Sequence, residues 1–344
     1  MDRETIIELQ NLIVGYKKGN QTFPVMKFPD IKVQKGDFIA IAGQNGIGKS
    51  TLIKTLVQLI PKVSGEVLIK GKVSSLYSRT KLASLISYVS TEVVHAQQIT
   101  VRDLVAFGRY PYTNWFGKIE REDWTIIEEA IEMLELEQLA PRFIDEISDG
   151  ERQRTMIARA LAQQTEVVIL DEPTAFLDLP HKHEIINLLG KLTREHHKTI
   201  IFTTHDLGIA IREVDKLWLL SNDGFYNGSP EDLILNGTIS KTFNTKKVSF
   251  DNRRGEFEVK KTYKPFFYIT GKTTAIHWTR NAIEKDGFTV LDKETESQPV
   301  ISIEQNPSGY HWNILYEGKV VTLKSILELR AYIRYNFVQN NLRS

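Results

Sequence analysis

Four separated stretches of this 344-residue chain carry the residue types that phosphoryl chemistry uses. Gly43-Gln44-Asn45-Gly46-Ile47-Gly48-Lys49-Ser50 matches G-x-x-x-x-G-K-[ST] in full, with Thr51 directly after it. Gly43, Gly46 and Gly48 let the backbone N–H groups around Asn45 turn inward on phosphates, and an adjoining helix start adds its dipole. Lys49 is spaced to reach the terminal phosphates, and the Ser50 hydroxyl to bind magnesium. Farther on, the apolar run Val167-Val168-Ile169-Leu170 ends in Asp171-Glu172. A carboxylate at a strand end completes a magnesium shell, the role expected of Asp171. Glu172 is the natural group to polarise an attacking water. His205 closes the run Thr199 to Thr204, where it either contacts the γ-phosphate, holds that water, or serves structure alone.

The fourth stretch is Ile147-Ser148-Asp149-Gly150-Glu151-Arg152-Gln153-Arg154. Ser148 and Glu151 have capping-box spacing, so a helix is expected to begin at Ser148. Such a start exposes N–H groups and a hydroxyl to an anion. Taken in isolation, the same tetrapeptide is also satisfied by a capped helix with no ligand.

A phosphate loop needs a strand before it and a helix after it. Phe38-Ile39-Ala40-Ile41-Ala42 is a short apolar run of the buried-strand kind. Leu52, Ile53, Leu56, Val57 and Ile60 then recur at helical spacing, and Pro61 is expected to stop that helix. Short strands are expected at Ile6 to Tyr16 and at Phe28 to Val33. Helices are expected over residues 120 to 140, over Asp149 to Gln163, and from about Pro180 to Thr193. This alternation predicts an α/β fold with a largely parallel sheet. After about residue 245 the pattern changes to strand-like runs at Phe266 to Ile269, Val300 to Ile303, Trp312 to Leu315 and Val320 to Leu323. A helix is expected about Thr274 to Lys285, and a second closes the chain, with Ser325 and Glu328 at capping-box spacing. We therefore expect one domain over residues 1–245 and a small separate α+β domain over 246–344.

Bulk properties exclude more than they assign. The 44 basic and 43 acidic side chains nearly cancel, so composition gives no support for a nucleic-acid partner. The absence of cysteine excludes a disulfide framework, cysteine zinc sites and thiol catalysis. No apolar run approaches the roughly 20 residues of a membrane span, so any membrane role is expected to come through a partner. Gly271-Lys272-Thr273-Thr274 echoes the end of a phosphate loop, but Phe266 stands where its first glycine belongs. His181, His183, His196 and His197 read as solvated helix ends rather than metal ligands.

The order of these motifs, continued by Thr174-Ala175-Phe176-Leu177-Asp178 and Thr204-His205-Asp206, resembles the ATP-binding subunit of an ABC transporter over roughly residues 3 to 245. The resemblance implies a P-loop NTPase core with a mixed sheet, an N-terminal antiparallel β part and a helical subdomain at about 92–160. It implies ATP and Mg2+ as cofactors, and catalysis by Lys49, Glu172 and His205. Ile147 to Glu151 match the family signature, with Ser148, Gly150 and Glu151 meeting the ATP held by a partner's phosphate loop. Asp178 matches the D-loop aspartate and His205 the switch histidine. Tyr16 stands where the family stacks a ring on adenine; the alternative is a tyrosine packed on its strand. A homodimer sandwiching two ATP molecules is implied, with transmembrane permease subunits and, indirectly, a substrate-binding protein as further partners. The subunit is then peripheral, on the cytoplasmic side of the membrane.

Val105-Ala106-Phe107-Gly108-Arg109-Tyr110-Pro111-Tyr112 is similar to a pattern in ATPases that import iron–siderophores, haem and cobalamin. The aromatics Tyr110, Tyr112, Trp115 and Phe116 suit a permease interface, or alternatively fill a helical subdomain. Two positions depart from the family. Asp149 replaces the usual glycine near the helix start. Thr91, in Tyr88-Val89-Ser90-Thr91-Glu92, stands where a magnesium-binding glutamine is usual, so Thr91 or Glu92 is expected to take that role, Gln97 and Gln98 lying too far along. Competing readings are a permease-independent soluble ATPase and a slow-hydrolysing regulatory module.

Overall fold

A computed structural model describes residues 3–19, 21–91, 98–113, 118–245, 247–259, 263–295, 298–307 and 309–338. The chain divides into two compact units, Met1–Thr242 and Phe243–Ser344. The first begins with β1 (Thr5–Lys18), β2 (Gln21–Lys27), β3 (Ile31–Gln34), β4 (Phe38–Gly43), α1 (Lys49–Leu56), β5 (Ser64–Ile69) and β6 (Lys72–Val73). It continues through α2 (Arg79–Ala83), β7 (Ile86–Val89), α3 (Val101–Ala106), α4 (Arg121–Met133), α5 (Asp149–Ala162), β8 (Val167–Leu170) and α6 (Leu179–His196). It closes with β9 (Thr199–Thr204), α7 (Leu207–Glu213), β10 (Lys216–Ser221), β11 (Gly224–Gly228), α8 (Pro230–Leu235) and α9 (Thr238–Phe243).

Two sheets share one core. The first has the order β2-β1-β5-β6, with β3 also paired to β1, and is antiparallel. The second has the order β11-β10-β4-β9-β8-β7 and is parallel except for β11. Strands β8 and β9 are buried along their whole length, which suits continuous apolar runs covered on both faces. Ile7 and Leu9 of the first sheet, Ile39 and Ile41 of the second, and Leu52 and Ile53 of α1 belong to one apolar cluster. Helices α3, α4 and α5 pack on one another.

The strand order is what positions the site. Strand β9 lies between β4 and β8, with Ala42 opposite Thr204 and Leu170 opposite Phe202. The phosphate loop, His205 and Asp171 therefore leave three adjacent strands at the same carboxyl edge, where ligands of open α/β sheets bind.

Three expected boundaries move. Helix α1 ends at Leu56, not at Pro61, because Gln58 takes a left-handed conformation (φ +58°) and the chain turns there. The strand expected at Phe28 to Val33 starts later, as β3 (Ile31–Gln34), and pairs with β1. Phe28 is buried between β2 and β3 and donates its N–H to the Leu12 carbonyl at 2.7 Å; Pro29 follows without a donor. The helix expected over 120–140 stops at Met133, with Glu135 left-handed just beyond (φ +54°).

The second unit holds the hairpin of β12 (Val248–Asp251) and β13 (Glu256–Val259), then β14 (Tyr263–Thr270), α10 (Thr273–Lys285), β15 (Phe288–Leu291), β16 (Val300–Asn306), β17 (Gly309–Tyr316), β18 (Lys319–Leu323) and α11 (Ile326–Ile333). Its five-stranded sheet has the order β15-β14-β16-β17-β18, parallel around β14 and antiparallel after β16. Phe267, Ile301, Trp312 and Ile314 of the sheet share a core with Ile283 of α10 and Leu329 and Ile333 of α11. Ser325 caps α11 through the Glu328 N–H, but the Glu328 carboxylate turns to the Lys324 N–H, one residue outside the box its spacing predicts. Among the described residues no helix is long and apolar enough to cross a membrane.

Candidate functional site

The phosphate loop leaves the sheet at Gly43, whose φ is +154°. A Cβ at that position would stand 2.5 Å from the Leu220 carbonyl oxygen on β10, so a side chain is excluded. Gly46 and Gly48 also take positive φ (+77° and +111°), turning the loop back toward α1. Gly48 is the N-cap of α1 and brings no side-chain cap, so the first-turn N–H groups are offered to an anion. Asn45 and Gly46 are exposed at the tip, and Thr51 is half-buried on the first turn. Lys49 lies under the loop, its Nζ donating to the Gly43 and Gln44 carbonyls at 2.9 and 3.1 Å. Burial lowers this ammonium below the usual lysine range, against the pull of the Glu172 and Asp171 carboxylates.

Asp171, the buried residue after β8, accepts the Ser50 hydroxyl at 3.0 Å and the Thr203 hydroxyl at 2.8 Å on one oxygen, Oδ1. Its N–H donates to Val89 at 2.8 Å, tying it to the end of β7. Two oxygen ligands at a right angle on an ion with magnesium's bond lengths stand about 2.9 Å apart. The Ser50–Asp171 oxygen pair therefore fits the edge of a magnesium octahedron, with the hard donors that ion prefers. Glu172 adopts a left-handed conformation (φ +49°), and its N–H donates to Thr203 Oγ1 at 2.7 Å. Its carboxylate meets His205 Nε2 in a short contact. The loop, the two carboxylates and the histidine are thus brought together.

Helix α5 begins as its spacing predicts. Ser148 is the N-cap, with its hydroxyl accepting the Glu151 N–H and Glu151 accepting the Ser148 N–H at 2.8 Å. Those Ser148 donors, the backbone N–H first and the hydroxyl second, hold the Glu151 carboxyl below its usual range. Asp149 does not face the helix start; it pairs with Arg152 at 2.8 Å, one turn along. Gly150 lies against the His181 ring, 3.2 Å separating His181 Cδ2 from where a Cβ would be. His181 in turn binds Asp178 twice, through its backbone N–H at 3.1 Å and through its ring. Asp178 is the N-cap of α6. Beyond a helix end, then, His181 links the D-loop position to the signature position.

Tyr16 is 59 % exposed near the end of β1. Thr91 is half-buried two residues beyond β7, the strand beside β8; Glu92 and Gln97 lie outside the described residues. The stretch after α3 is divided between two roles. A Cβ at Gly108 would stand 2.2 Å from the Arg159 carbonyl oxygen, so glycine is what lets this segment touch α5. Arg109 is buried, donating to Asp123 at 2.8 Å, the Ala162 carbonyl at 2.9 Å and Gln164 at 3.1 Å, and stacks over Tyr112 at 4.1 Å. Tyr112 donates to the Gln163 carbonyl at 2.8 Å. Tyr110 is 78 % exposed, with Phe107 exposed beside it, while Trp115 and Phe116 lie outside the described residues. Sequence reasoning missed Thr203 and His181. The hydroxyl at Thr203 had no local pattern to mark it, whereas His181, three residues after Asp178, had helical N-cap spacing.

A phosphate loop between a parallel strand and a helix, with a carboxylate on a neighbouring strand end, defines a P-loop nucleoside triphosphatase. Residues 27–175 match the ABC transporter family, and residues 263–334 match the iron ABC transporter C-terminal domain. The chain is 37 % identical over 283 residues to an uncharacterised ABC transporter ATP-binding protein of Methanocaldococcus jannaschii, covering 81 % of this chain and 96 % of that one. It is 37 % identical over 241 residues to the achromobactin transport ATP-binding protein CbrD of Dickeya dadantii, covering 70 % and 88 %. A dimeric ATP-binding cassette solved in a post-hydrolysis state with ADP and Pi superposes with a TM-score of 0.57 at 26 % identity, covering 65 % of this chain and 99 % of that one. The chain belongs to the ABC transporter ATP-binding family and is an ATPase.

Proposed function

We propose that this chain powers import of iron–siderophores through a separate transmembrane permease, as one of two identical subunits that close on two ATP molecules. The observation that carries the ATPase chemistry is the convergence of the phosphate loop, Asp171, Glu172 and His205 on three adjacent strand ends. The achromobactin transport relative and the match to an iron transporter C-terminal domain support the cargo class. Phe176, 82 % exposed, and the exposed Leu179 flank Asp178, which suits an apolar subunit interface, and the dimeric cassette shares this fold. Phe107 and Tyr110 suit contact with the permease, which an extracytoplasmic substrate-binding protein would supply. The subunit is then peripheral, on the cytoplasmic side.

In this reading Tyr16 stacks on adenine, and N–H groups from Gly43 to Thr51 surround the phosphates. Lys49 exchanges its two loop carbonyls for the terminal phosphates. Ser50 and Asp171, with an oxygen from Thr91, would hold magnesium, which would supply positive charge against the phosphates. Glu172 accepts a proton from water as that water attacks the γ-phosphorus; the bond to the bridging oxygen breaks, leaving ADP and inorganic phosphate. His205 Nε2 holds the Glu172 carboxylate in place, and Asp178 with Ser148, Gly150 and Glu151 completes the partner's site. A positioned base contributes roughly 10²–10⁴-fold. Glu172→Gln is expected to bind ATP, accumulate as a closed dimer by light scattering and lose turnover by that factor. Near-normal turnover in this variant refutes the assignment. Iron-limited growth on a ferric siderophore, unchanged after deletion of the gene, refutes the cargo.

A further inference from the structure

Thr203 is fully buried on β9, between Ile200-Ile201-Phe202 and the end of the strand. A hydroxyl in such a place must find partners, and this one finds two of unusual identity. It donates to Asp171 Oδ1 at 2.8 Å and accepts from the Glu172 N–H at 2.7 Å. A hydroxyl has one proton, so giving it to Asp171 leaves its lone pairs for Glu172. The Asp171 oxygen it binds is the one that also takes the Ser50 hydroxyl. Glu172, for its part, is held in a left-handed conformation that non-glycine residues avoid, and its backbone N–H is what Thr203 captures.

We propose that Thr203 is a positioning residue for ATP hydrolysis, its single hydroxyl fixing both the metal-binding oxygen of Asp171 and the backbone turn that aims Glu172. This rests on the roles given to Asp171 and Glu172 above. Valine in place of threonine keeps the shape and removes the hydroxyl, leaving Oδ1 with only the Ser50 hydroxyl to hold it and the Glu172 N–H without its acceptor. Two carboxylates on one strand end are thereby set by a third residue on the neighbouring strand, and both functions fail together when it is removed.

The test compares Thr203→Val, Thr203→Ser and Glu172→Gln in the full chain. Thr203→Val is expected to keep magnesium-free ATP affinity within about twofold by calorimetry. It is expected to lose ten- to a hundredfold in kcat at unchanged KM, the range for a lost hydrogen bond to a charged group. The magnesium concentration that half-tightens ADP binding, read without turnover, is expected to rise severalfold. Thr203→Ser restores both. Thr203→Ala serves as the second hydroxyl deletion should the valine variant fail to fold. Wild-type kcat and magnesium response in the variants lacking the hydroxyl overturn the proposal, as does a serine variant as impaired as they are. If Glu172→Gln is inactive in that case, only Thr203 has been misassigned; a fully active Glu172→Gln overturns the base assignment and this proposal together.

Discussion

Arg109 is expected to be a stabilising residue although it sits in the stretch whose aromatics suit a permease interface. Arg109→Ala removes a guanidinium whose side chain is 6 % exposed and strands Asp123, 12 % exposed, without its counter-charge. It also leaves the Ala162 carbonyl and Gln164 without their donor. Breaking a buried ion pair from one side costs about 3–5 kcal/mol. For a unit spanning Met1–Thr242, where each kcal/mol moves Tm by roughly 2–4 °C, the first transition in calorimetry should fall by about 6–20 °C. Arg109→Lys should fall between, since the ammonium lacks the fork that serves Asp123 and the carbonyl together. Burial pushes the Asp123 carboxyl up, but the Glu120 N–H and Arg109 outweigh it and hold the group below its usual range. A carboxylate depressed in the folded state adds stability above its unfolded pKa of ~3.9, lost as pH falls through the folded value. The gap between wild type and Arg109→Ala should therefore be full at neutral pH and narrow below about pH 4. Tyr110→Ala, by contrast, should leave Tm unchanged and lower permease-stimulated ATPase. An Arg109→Ala transition within about 2 °C of wild type at neutral pH refutes the reasoning.

Two further outcomes follow from the same geometry. Tyr16→Ala should weaken ATP binding by roughly 5- to 150-fold, the worth of one base stacked on an aromatic ring, while Tyr16→Phe should bind normally in calorimetry. Unchanged affinity in the alanine variant makes Tyr16 a strand residue only. In the second unit, Arg330 binds the buried Asp286 through two nitrogens at 2.9 and 2.7 Å, with Arg334 on the same carboxylate. Arg330→Ala should cost about 1.5–3 kcal/mol, Arg334 remaining, and raise hydrogen exchange in α10 and α11; protection equal to wild type there would show the clamp to be idle.

The parts of this protein that depend on near neighbours were legible in its sequence. The phosphate loop, the Ser148 cap and the apolar runs of β4, β8 and β9 rest on contacts within a few residues, so spacing alone specifies them. Boundaries failed where one backbone conformation decided them, as at Gln58, or where a turn borrowed a distant partner, as Phe28 does from Leu12. The tertiary structure alone decided which distant groups meet. Thr203 reaches Asp171 across 32 residues because β9 and β8 are neighbours, and Gly108 meets Arg159 because a helix crosses there. Buried polar groups must be satisfied wherever the fold puts them, and strand order, set by burying the whole sheet, chooses their partners. That is why the sequence by itself determined the class of chemistry and its carboxylates, while the hydroxyl that aims them and the inward turn of Arg109 belonged to the fold.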